Sequence, residues 1–282
     1  MINKILLALF IPFTLYSQSN TDIYLFDIEI SESSVRVSNP INISNRVGYD
    51  NQAFFHTEIP IIYYSSFDED DRSDIKYYDI ESGETIQFCK TKDREYSPTL
   101  TPDKKYISCI LQTDEGKQNL VKYPIEGGDP ITIIDDLIVG YHSWINKDEL
   151  LLFVLGEPEH FLVKYNLKNN EKDTITSSIG RAIHKIPNKD DMSYIQKTDS
   201  TWNITSLKKQ EIITQTIEGS EDLCWTNNGM ILMSDGSDIY FFNGKWNKAN
   251  YSGPKDFMKG ITRLAISEDN TKLTVVVEES TE

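Results

Sequence analysis

One position of an internal repeat gathers most of the side chains that could bind a ligand. It lies three or four residues ahead of the central residue of each copy and holds arginines, tyrosines, carboxylates and an amide. Tyrosine supplies rigid contact area and arginine pairs with carboxylates, so the mixture suits recognition of a polar ligand or a peptide segment. We predict a binding site formed by Asn51, Tyr96, Tyr141, Arg181, Glu221, Asp222 and Arg263. The alternative is that these side chains bond only to one another and to water.

The same position raises a metal-site alternative. Hard cations such as Ca²⁺ take oxygen ligands, and Asn51, Glu221 and Asp222 could supply three of them. Arg181 and Arg263 occupy the same position of the repeat and would repel a cation. We therefore predict no metal and no cofactor, and we keep a cation-dependent hydrolase as the alternative.

Other catalytic signatures are missing from the sequence. A zinc site needs three or four converging ligands, but the histidines fall at unequal places in the repeat, namely His56, His142, His160 and His184. The sequence has no Gly-x-Ser-x-Gly elbow, no P-loop and no Gly-x-Gly-x-x-Gly. Each histidine is expected to bond locally, and no catalytic residue is predicted.

The repeat has a period of about 40–45 residues, which is typical of propellers and helical arrays. Its central residues are separated by 45, 44, 41, 40 and 41 positions. They are Phe55, Leu100, Trp144, Lys185, Trp225 and Ile266. Lys185 is the least apolar of them, so Ile183 or Ile186 is expected to take over its packing role.

A second kind of segment alternates with the first, and the two ends of the chain complement each other. It is centred on Ile75, Leu120, Phe161, Ile204 and Ile239, with a displaced copy at Ile23. That displaced copy has no first-kind segment before it, and the first-kind segment at 262–277 has no second-kind segment after it. Five internal units and one assembled from both ends would give a closed ring of six.

Residue types predict that these segments are strands. They are short runs rich in Tyr, Ile, Val, Phe and Thr, and turn dipeptides such as Asn228-Gly229 and Asn243-Gly244 separate them. No stretch after residue 19 shows a sustained helical apolar period, so helix should be nearly absent. Four short strands in each unit make one propeller blade. We predict an all-β fold, a six-bladed β-propeller whose ring is closed by pairing C-terminal strands with N-terminal strands.

One copy of the repeat resembles a known family. Ser97-Pro98-Thr99-Leu100-Thr101-Pro102-Asp103-Lys104 is similar to the TolB-like (WD-like) propeller repeat, whose pattern is roughly S-P-x-W/F-S-P-D-G-K. Strands of the type Ile-Tyr-x-x-Asp at Ile23, Ile75 and Ile239 belong to the same pattern, although every copy is degenerate and Lys104 replaces the pattern's glycine. The resemblance implies a six-bladed propeller. It leaves function open, because such propellers serve as binding scaffolds, enzyme modules and lids, and six-bladed lactonases hold a cation on the channel axis.

Residues 1–19 have the features of a secretory signal peptide. Lys4 precedes an apolar run from Ile5 to Leu15, and Ser17-Gln18-Ser19 offers small residues for cleavage. The run is too short to span a membrane, which takes about 20 apolar residues. We expect export to the periplasm or secretion, no membrane insertion after cleavage, and one propeller domain over residues 20–282.

The chain is acidic, with 28 basic and 44 acidic residues and a net charge of −16. Lys4 is the only charged residue of the predicted signal peptide, so cleavage would give −17. This charge argues against nucleic acid and anionic membrane surfaces as partners. An envelope or extracellular protein, or a polar ligand, is the expected partner.

Together these observations favour a secreted binding or interaction module without catalysis, which recognises its partner on the funnel-shaped face of the propeller. The first alternative is a lactonase-like, metal-dependent hydrolase that works in the central channel. The second is a structural subunit of an envelope complex, docked through the long segment from Asn247 to Lys259.

Overall fold

The structure is a computed structural model, and it describes residues 20–68 and 72–278. The predicted signal peptide, residues 1–19, lies outside these ranges and stays a prediction. Regular structure in the described residues consists of strands and a single 3₁₀ turn at Lys255–Met258. Within the same ranges, no helix has the length and apolarity needed to cross a membrane.

The strands follow one another along the chain with short turns between them. In chain order they are β1 (Thr21–Ile30), β2 (Val35–Asn42), β3 (Asp50–Phe55), β4 (Ile61–Phe67), β5 (Ser73–Asp79), β6 (Thr85–Gln87), β7 (Arg94–Leu100), β8 (Tyr106–Gln112), β9 (Gln118–Pro124), β10 (Ile131–Ile134), β11 (Val139–Asn146), β12 (Glu149–Val154), β13 (Phe161–Asn166), β14 (Glu171–Ser177), β15 (Ile179–Lys185), β16 (Met192–Lys197), β17 (Trp202–Ser206), β18 (Ile212–Gln215), β19 (Cys224–Trp225), β20 (Ile231–Ser234), β21 (Ile239–Phe242), β22 (Trp246–Lys248), β23 (Asn250–Ser252), β24 (Ile261–Ile266) and β25 (Lys272–Glu278).

These strands form six sheets, and five of the sheets are built from four strands that are consecutive in the chain. Blades 1 to 5 are therefore β3–β6, β7–β10, β11–β14, β15–β18 and β19–β22. The first strand of each blade faces a cavity on the axis of the ring. The predicted all-β, six-bladed propeller is confirmed.

The sixth blade, which we call the closing blade, is assembled from both ends of the chain. β24 and β25 are its first two strands, β1 is the third and β2 is the fourth. β1 pairs with β25 without a break in register from Thr21 to Asp27, and Ile23 lies opposite Val276. The predicted closure of the ring is confirmed, with two strands contributed by each end.

The long segment between blade 5 and β24 belongs to the closing blade. Its β23 lies parallel to β2 and adds a fifth strand at the outer edge of that blade. The 3₁₀ turn that follows brings Phe257 and Met258 against the apolar core, where the ring centroids of Phe257 and Tyr24 are 5.0 Å apart. This segment therefore covers the core of the closing blade.

Apolar clusters between neighbouring blades hold the ring together. The cluster between blades 3 and 4, for example, joins Phe153 to Ile183 and Tyr194. Burying a side chain of this kind contributes roughly 1.5–3 kcal/mol to the free energy of unfolding. Lys185 is exposed, whereas Ile183 and Ile186 are buried. The isoleucines therefore provide the packing of blade 4, as the sequence predicted.

The degenerate repeat motif builds a tight turn between the first two strands of a blade. In blade 2, Thr101 Oγ1 donates to Asp103 Oδ1 at 2.6 Å, and Lys104 follows with a φ of 58°. The equivalent residues in blade 5 and the closing blade are Gly229, with a φ of 85°, and Asn270, with a φ of 58°. The turn requires a positive φ, which glycine adopts freely and lysine adopts only with steric strain.

Replacing Lys104 with glycine should stabilise the protein by about 0.5–1 kcal/mol, because the strain of a left-handed lysine exceeds the entropy cost of glycine. The ion pair that Lys104 makes with Glu58 is exposed and contributes little. Urea unfolding followed by tryptophan fluorescence measures the difference. The matched variant Lys105→Gly should destabilise, since Lys105 lacks a positive φ. A less stable Lys104→Gly protein would contradict this view of the turn.

A carboxyl group is buried between blades 1 and 2. Glu95 on β7 is fully buried, and its Oε1 accepts hydrogen bonds from Thr91 Oγ1 at 2.7 Å and from Tyr123 OH at 2.9 Å. Its Oε2 has no partner among the described residues. Burial raises the pKa of Glu95 to about 7, and the nearby carboxyl group of Asp74 also raises it. The side chain is therefore neutral in the fold at mildly acidic pH.

Glu95 should lower the free energy of unfolding as the pH rises from about 5 to about 8, whereas His142, whose pKa is lowered by burial, contributes in the opposite direction up to about pH 6.5. In that window the folded protein keeps the Glu95 proton longer than the unfolded chain does, so ionisation of the buried group costs stability. Glu95→Gln stays neutral and should remove about 1–3 kcal/mol of this fall. Urea unfolding across the window tests this, with exposed Glu126→Gln as the control. An unchanged pH slope in Glu95→Gln would show that Glu95 does not cause it.

Candidate ligand-binding site

Irregularities of the strand pairing place the candidate side chains. We call the end of the channel at which the innermost strands begin the funnel face. Near this end, the register between the first and second strands breaks in blades 1 to 4 and in the closing blade. The breaks lie at Asn51–Phe54, Tyr96–Thr99, Val139–Tyr141, Ile179–Ile183 and Ile261–Arg263. Such a bulge changes the direction of side chains relative to the regular alternation of a strand. The predicted site residues of these five blades lie at or inside the breaks.

The innermost strands enclose a cavity of about 530 Å³ on the propeller axis. This volume lies within the usual range for small-molecule sites in proteins. Four of the seven predicted site residues line the cavity together, namely Tyr141, Arg181, Asp222 and Arg263. The structure therefore brings side chains from blades 3, 4 and 5 and from the closing blade into one site.

Arg263 is held by Tyr141 across the channel and by Asp222 of the neighbouring blade 5. Its Nη2 donates to Tyr141 OH at 2.9 Å, and its Nη1 lies 3.8 Å from Asp222 Oδ1. The other oxygen of Asp222 accepts the backbone N–H of Leu264 at 2.7 Å, which fixes the carboxylate. Burial lowers the pKa of Arg263, but Tyr141 and Asp222 outweigh it and the pKa is raised. The charge of Arg263 is thus largely balanced by Asp222.

The positive charge of Arg181 is not balanced by a carboxylate in this way. Its Nη2 donates to the backbone oxygen of Thr262 at 2.7 Å, which links blade 4 to the closing blade. Its Nε has no hydrogen-bond partner among the described residues. No carboxylate of residues 20–68 or 72–278 lies within ion-pair distance of its guanidinium group. This part of the channel wall therefore carries an uncompensated positive charge.

Two more residues that line the cavity hold a polar side-chain atom that solvent does not reach. Ser97 Oγ and His142 Nδ1 are buried and have no partner within the described part of the chain. His142 Nε2 lies 2.7 Å from Ser108 Oγ, and Ser108 donates its hydrogen to the backbone oxygen of Thr99 at 3.0 Å. We therefore assign the proton of His142 to Nε2, which leaves a lone pair on Nδ1. Burial lowers the pKa of His142 to about 3, so the ring is neutral.

The structure places the other three predicted residues away from the cavity wall. Asn51 is buried, and its Oδ1 accepts the backbone N–H of the next residue at 2.7 Å. Glu221 pairs with Lys197. Tyr96 packs its ring against Phe67, with centroids 6.1 Å apart. A role for these three residues in binding stays a prediction.

Three residues that the sequence places near the start of innermost strands, but that are outside the seven predicted site residues, also lie at or near the site. Ser97 and Gln52 line the cavity from inside the bulges of blades 2 and 1, where their φ angles are 56° and 59°. Tyr49 lies just ahead of β3. Burial raises its pKa, while the positive charges of Arg263 and Arg181 act in the opposite direction, so its ring lies near both. The sequence feature that marks Gln52, Ser97 and Tyr49 is their place near the start of an innermost strand.

The described residues contain no grouping of three or more His, Cys, Asp or Glu side chains that could hold a metal ion. His142 and His184 both line the cavity. Asn51 and Glu221, two of the three oxygen ligands considered from the sequence, have protein partners instead.

No protein-family model and no curated protein matches the sequence. Among solved structures, the chain is similar to a putative TolB from Agrobacterium tumefaciens, with a TM-score of 0.67 and 10% identity over 94% of this chain and 100% of that one. It is also similar to TolB from Acinetobacter baumannii, with a TM-score of 0.60 and 12% identity, covering 93% of this chain but only 64% of that one. An oligogalacturonate lyase in complex with manganese gives a TM-score of 0.55 and 12% identity over 86% of this chain and 80% of the lyase. At these identities the likeness shows the fold alone, and that fold is the TolB-like six-bladed propeller.

Proposed function

We propose that this protein is an exported binding module that recognises a polar ligand or a protein segment at the funnel face and in the channel behind it, without catalysing a reaction. The observation that carries the proposal is the uncompensated charge of Arg181 on the channel wall. Arg181 is half-buried, and burying a charge is costly unless it is paired. An anionic group from a bound partner would pair it.

The rigidity of the site supports a binding role. Tyr141, Arg181 and Arg263 lie on strands, and hydrogen bonds across the channel fix the two arginines. Side chains that are already ordered lose little conformational entropy when a partner binds. Tyrosine and arginine are also the residues that contribute most at binding hot spots.

The inferences about export and about the class of partner rest on the sequence. Residues 1–19 have the pattern of a signal peptide, and a net charge of −16 disfavours nucleic acid and anionic membranes. The TolB-like fold is compatible with a binding scaffold, although the fold alone does not specify an activity. We therefore infer an envelope or extracellular protein, or a polar ligand, as the partner.

Reversing the charge of Arg181 should reduce partner capture at least 10-fold, because a glutamate there would repel an anionic group. The measurement is a quantitative pull-down from envelope extract with residues 20–282 as bait. Arg36→Glu is the matched control, since Arg36 is exposed on β2 of the closing blade, away from the channel. Both variants should melt within a few degrees of the parent. Equal capture by Arg181→Glu and the parent would place the binding surface elsewhere.

The manganese complex of the oligogalacturonate lyase supports a second candidate, a metal-dependent enzyme that works in the channel. The described residues offer His142 and His184 on the cavity wall but no third metal-ligating side chain grouped with them. Titration calorimetry with MnCl₂ separates the two candidates. We expect no stoichiometric binding. One tightly bound Mn²⁺ per chain, lost in His142→Ala, would favour the enzyme.

A further inference from the structure

Six hydrophobic and aromatic side chains at the funnel face form what we call the hydrophobic arc, namely Val47, Tyr49, Phe67, Tyr96, Leu137 and Ile138. We propose that the hydrophobic arc docks a segment of a partner protein, whose apolar side chains cover the arc while an acidic group of the same segment pairs with Arg181. This inference rests on the proposed binding function and names the chemistry of the partner, which is an acidic residue next to apolar ones.

The two ends of the arc are exposed to water. Val47 is 80% exposed, more than any other large hydrophobic side chain in the described residues, and Ile138 is 51% exposed. Both lie in connections that lead into an innermost strand, Val47 just ahead of β3 and Ile138 directly ahead of β11, so both are at the funnel face. Covering such side chains lowers the free energy roughly in proportion to the apolar area removed from water.

Aromatic rings form the middle of the arc. The ring of Phe67 lies between those of Tyr49 and Tyr96, with centroids 5.1 Å and 6.1 Å away, and all three side chains are half-buried. Tyr96 and Leu137 both pack against the apolar cluster between blades 2 and 3. The arc therefore extends from the start of blade 1 to the start of blade 3. Rings that are already packed lose little conformational entropy when a partner covers them.

The charges at the two ends of the arc differ. At the channel end, the ring of Tyr49 lies near Arg181, whose guanidinium group has only the backbone oxygen of Thr262 as its partner. At the other end, exposed Asp135 lies in the same connection as Ile138. Like charges repel across an interface and opposite charges attract. A segment lying on the arc is therefore expected to carry its acidic group at the channel end.

The position of the arc selects a protein segment. Tyr49, Phe67 and Tyr96 lie outside the lining of the channel cavity, so a small molecule inside the cavity leaves them uncovered. An extended chain can place one side chain at the channel and others over neighbouring blades. Exposed hydrophobic surface of this kind marks protein or membrane contacts, and a net charge of −16 disfavours an anionic membrane.

Calorimetry on residues 20–282 with three matched peptides tests the inference. Acetyl-Asp-Leu-Phe-Leu-amide carries both features, acetyl-Asp-Ser-Ser-Ser-amide lacks the apolar side chains, and acetyl-Asn-Leu-Phe-Leu-amide lacks the charge. We expect the first peptide to bind at least about 10-fold more tightly than either of the others. Equal binding of the two aspartate peptides would overturn the inference and leave anion recognition at Arg181 standing. No binding of any peptide would also overturn it, while the pull-down with Arg181→Glu tests the proposed function separately.

Neutral substitutions in the arc assign its role. Val47→Ser and Ile138→Ser should each weaken binding of the Asp-Leu-Phe-Leu peptide about 5–10-fold and leave the serine peptide unaffected. Ile212→Ser is the matched control, because Ile212 is 63% exposed on β18, the outermost strand of blade 4. Substitutions at such exposed positions should leave the melting temperature nearly unchanged. Equal losses in Ile212→Ser and in the arc variants would contradict a specific docking surface.

Two further measurements distinguish other occupants of the arc. Sedimentation velocity should show a monomer, and a dimer that dissociates in Val47→Ser would assign the arc to a second copy of the chain. Flotation with phosphatidylcholine vesicles should leave the protein unbound, and binding that Ile138→Ser abolishes would assign the arc to a lipid surface. Either of these results would overturn the proposal.

Discussion

The pairing of β1 with β25 is the constraint on which the rest of the structure depends. It joins the two ends of the chain over seven residues in continuous register and so fixes the position of β24. β24 carries both partners that reach across the channel, because Arg263 bonds to Tyr141 of blade 3 and Thr262 accepts from Arg181 of blade 4. The site therefore exists only in the closed ring. Closure also removes free sheet edges that would promote aggregation.

Hydrogen bonds between neighbouring blades also fix the positions of the blades around the ring. The indole N–H of Trp144 donates to Ser108 Oγ in the preceding blade at 2.9 Å, and Trp225 makes the same bond to Ser193 Oγ at 2.9 Å. The first of these contacts reaches the site directly, since Ser108 also bonds to His142. Ser108 Oγ thus joins a packing contact of the repeat to His142, a residue that lines the cavity.

The fold could be predicted from the sequence because its determinants are local and repeated. Strand-forming residue types, turn dipeptides and a regular period specify a blade, and the position of Ile23 predicted how the ring closes. The site could be predicted only in part. Alignment placed Arg181 and Arg263 at the channel, but the direction of a side chain at a bulge depends on backbone angles such as the φ of 59° at Gln52. The unpaired atom of His142 is a property of tertiary contacts that no spacing encodes.

The central claim is that an unpaired arginine makes the channel of this acidic propeller an anion site. A crystal structure of the mature protein grown in the presence of acetate, a small carboxylate, tests it most directly. We expect electron density for the anion in the cavity, with its carboxylate within hydrogen-bond distance of Arg181. A guanidinium group that points out of the channel, paired with a carboxylate of the protein itself, would contradict the claim.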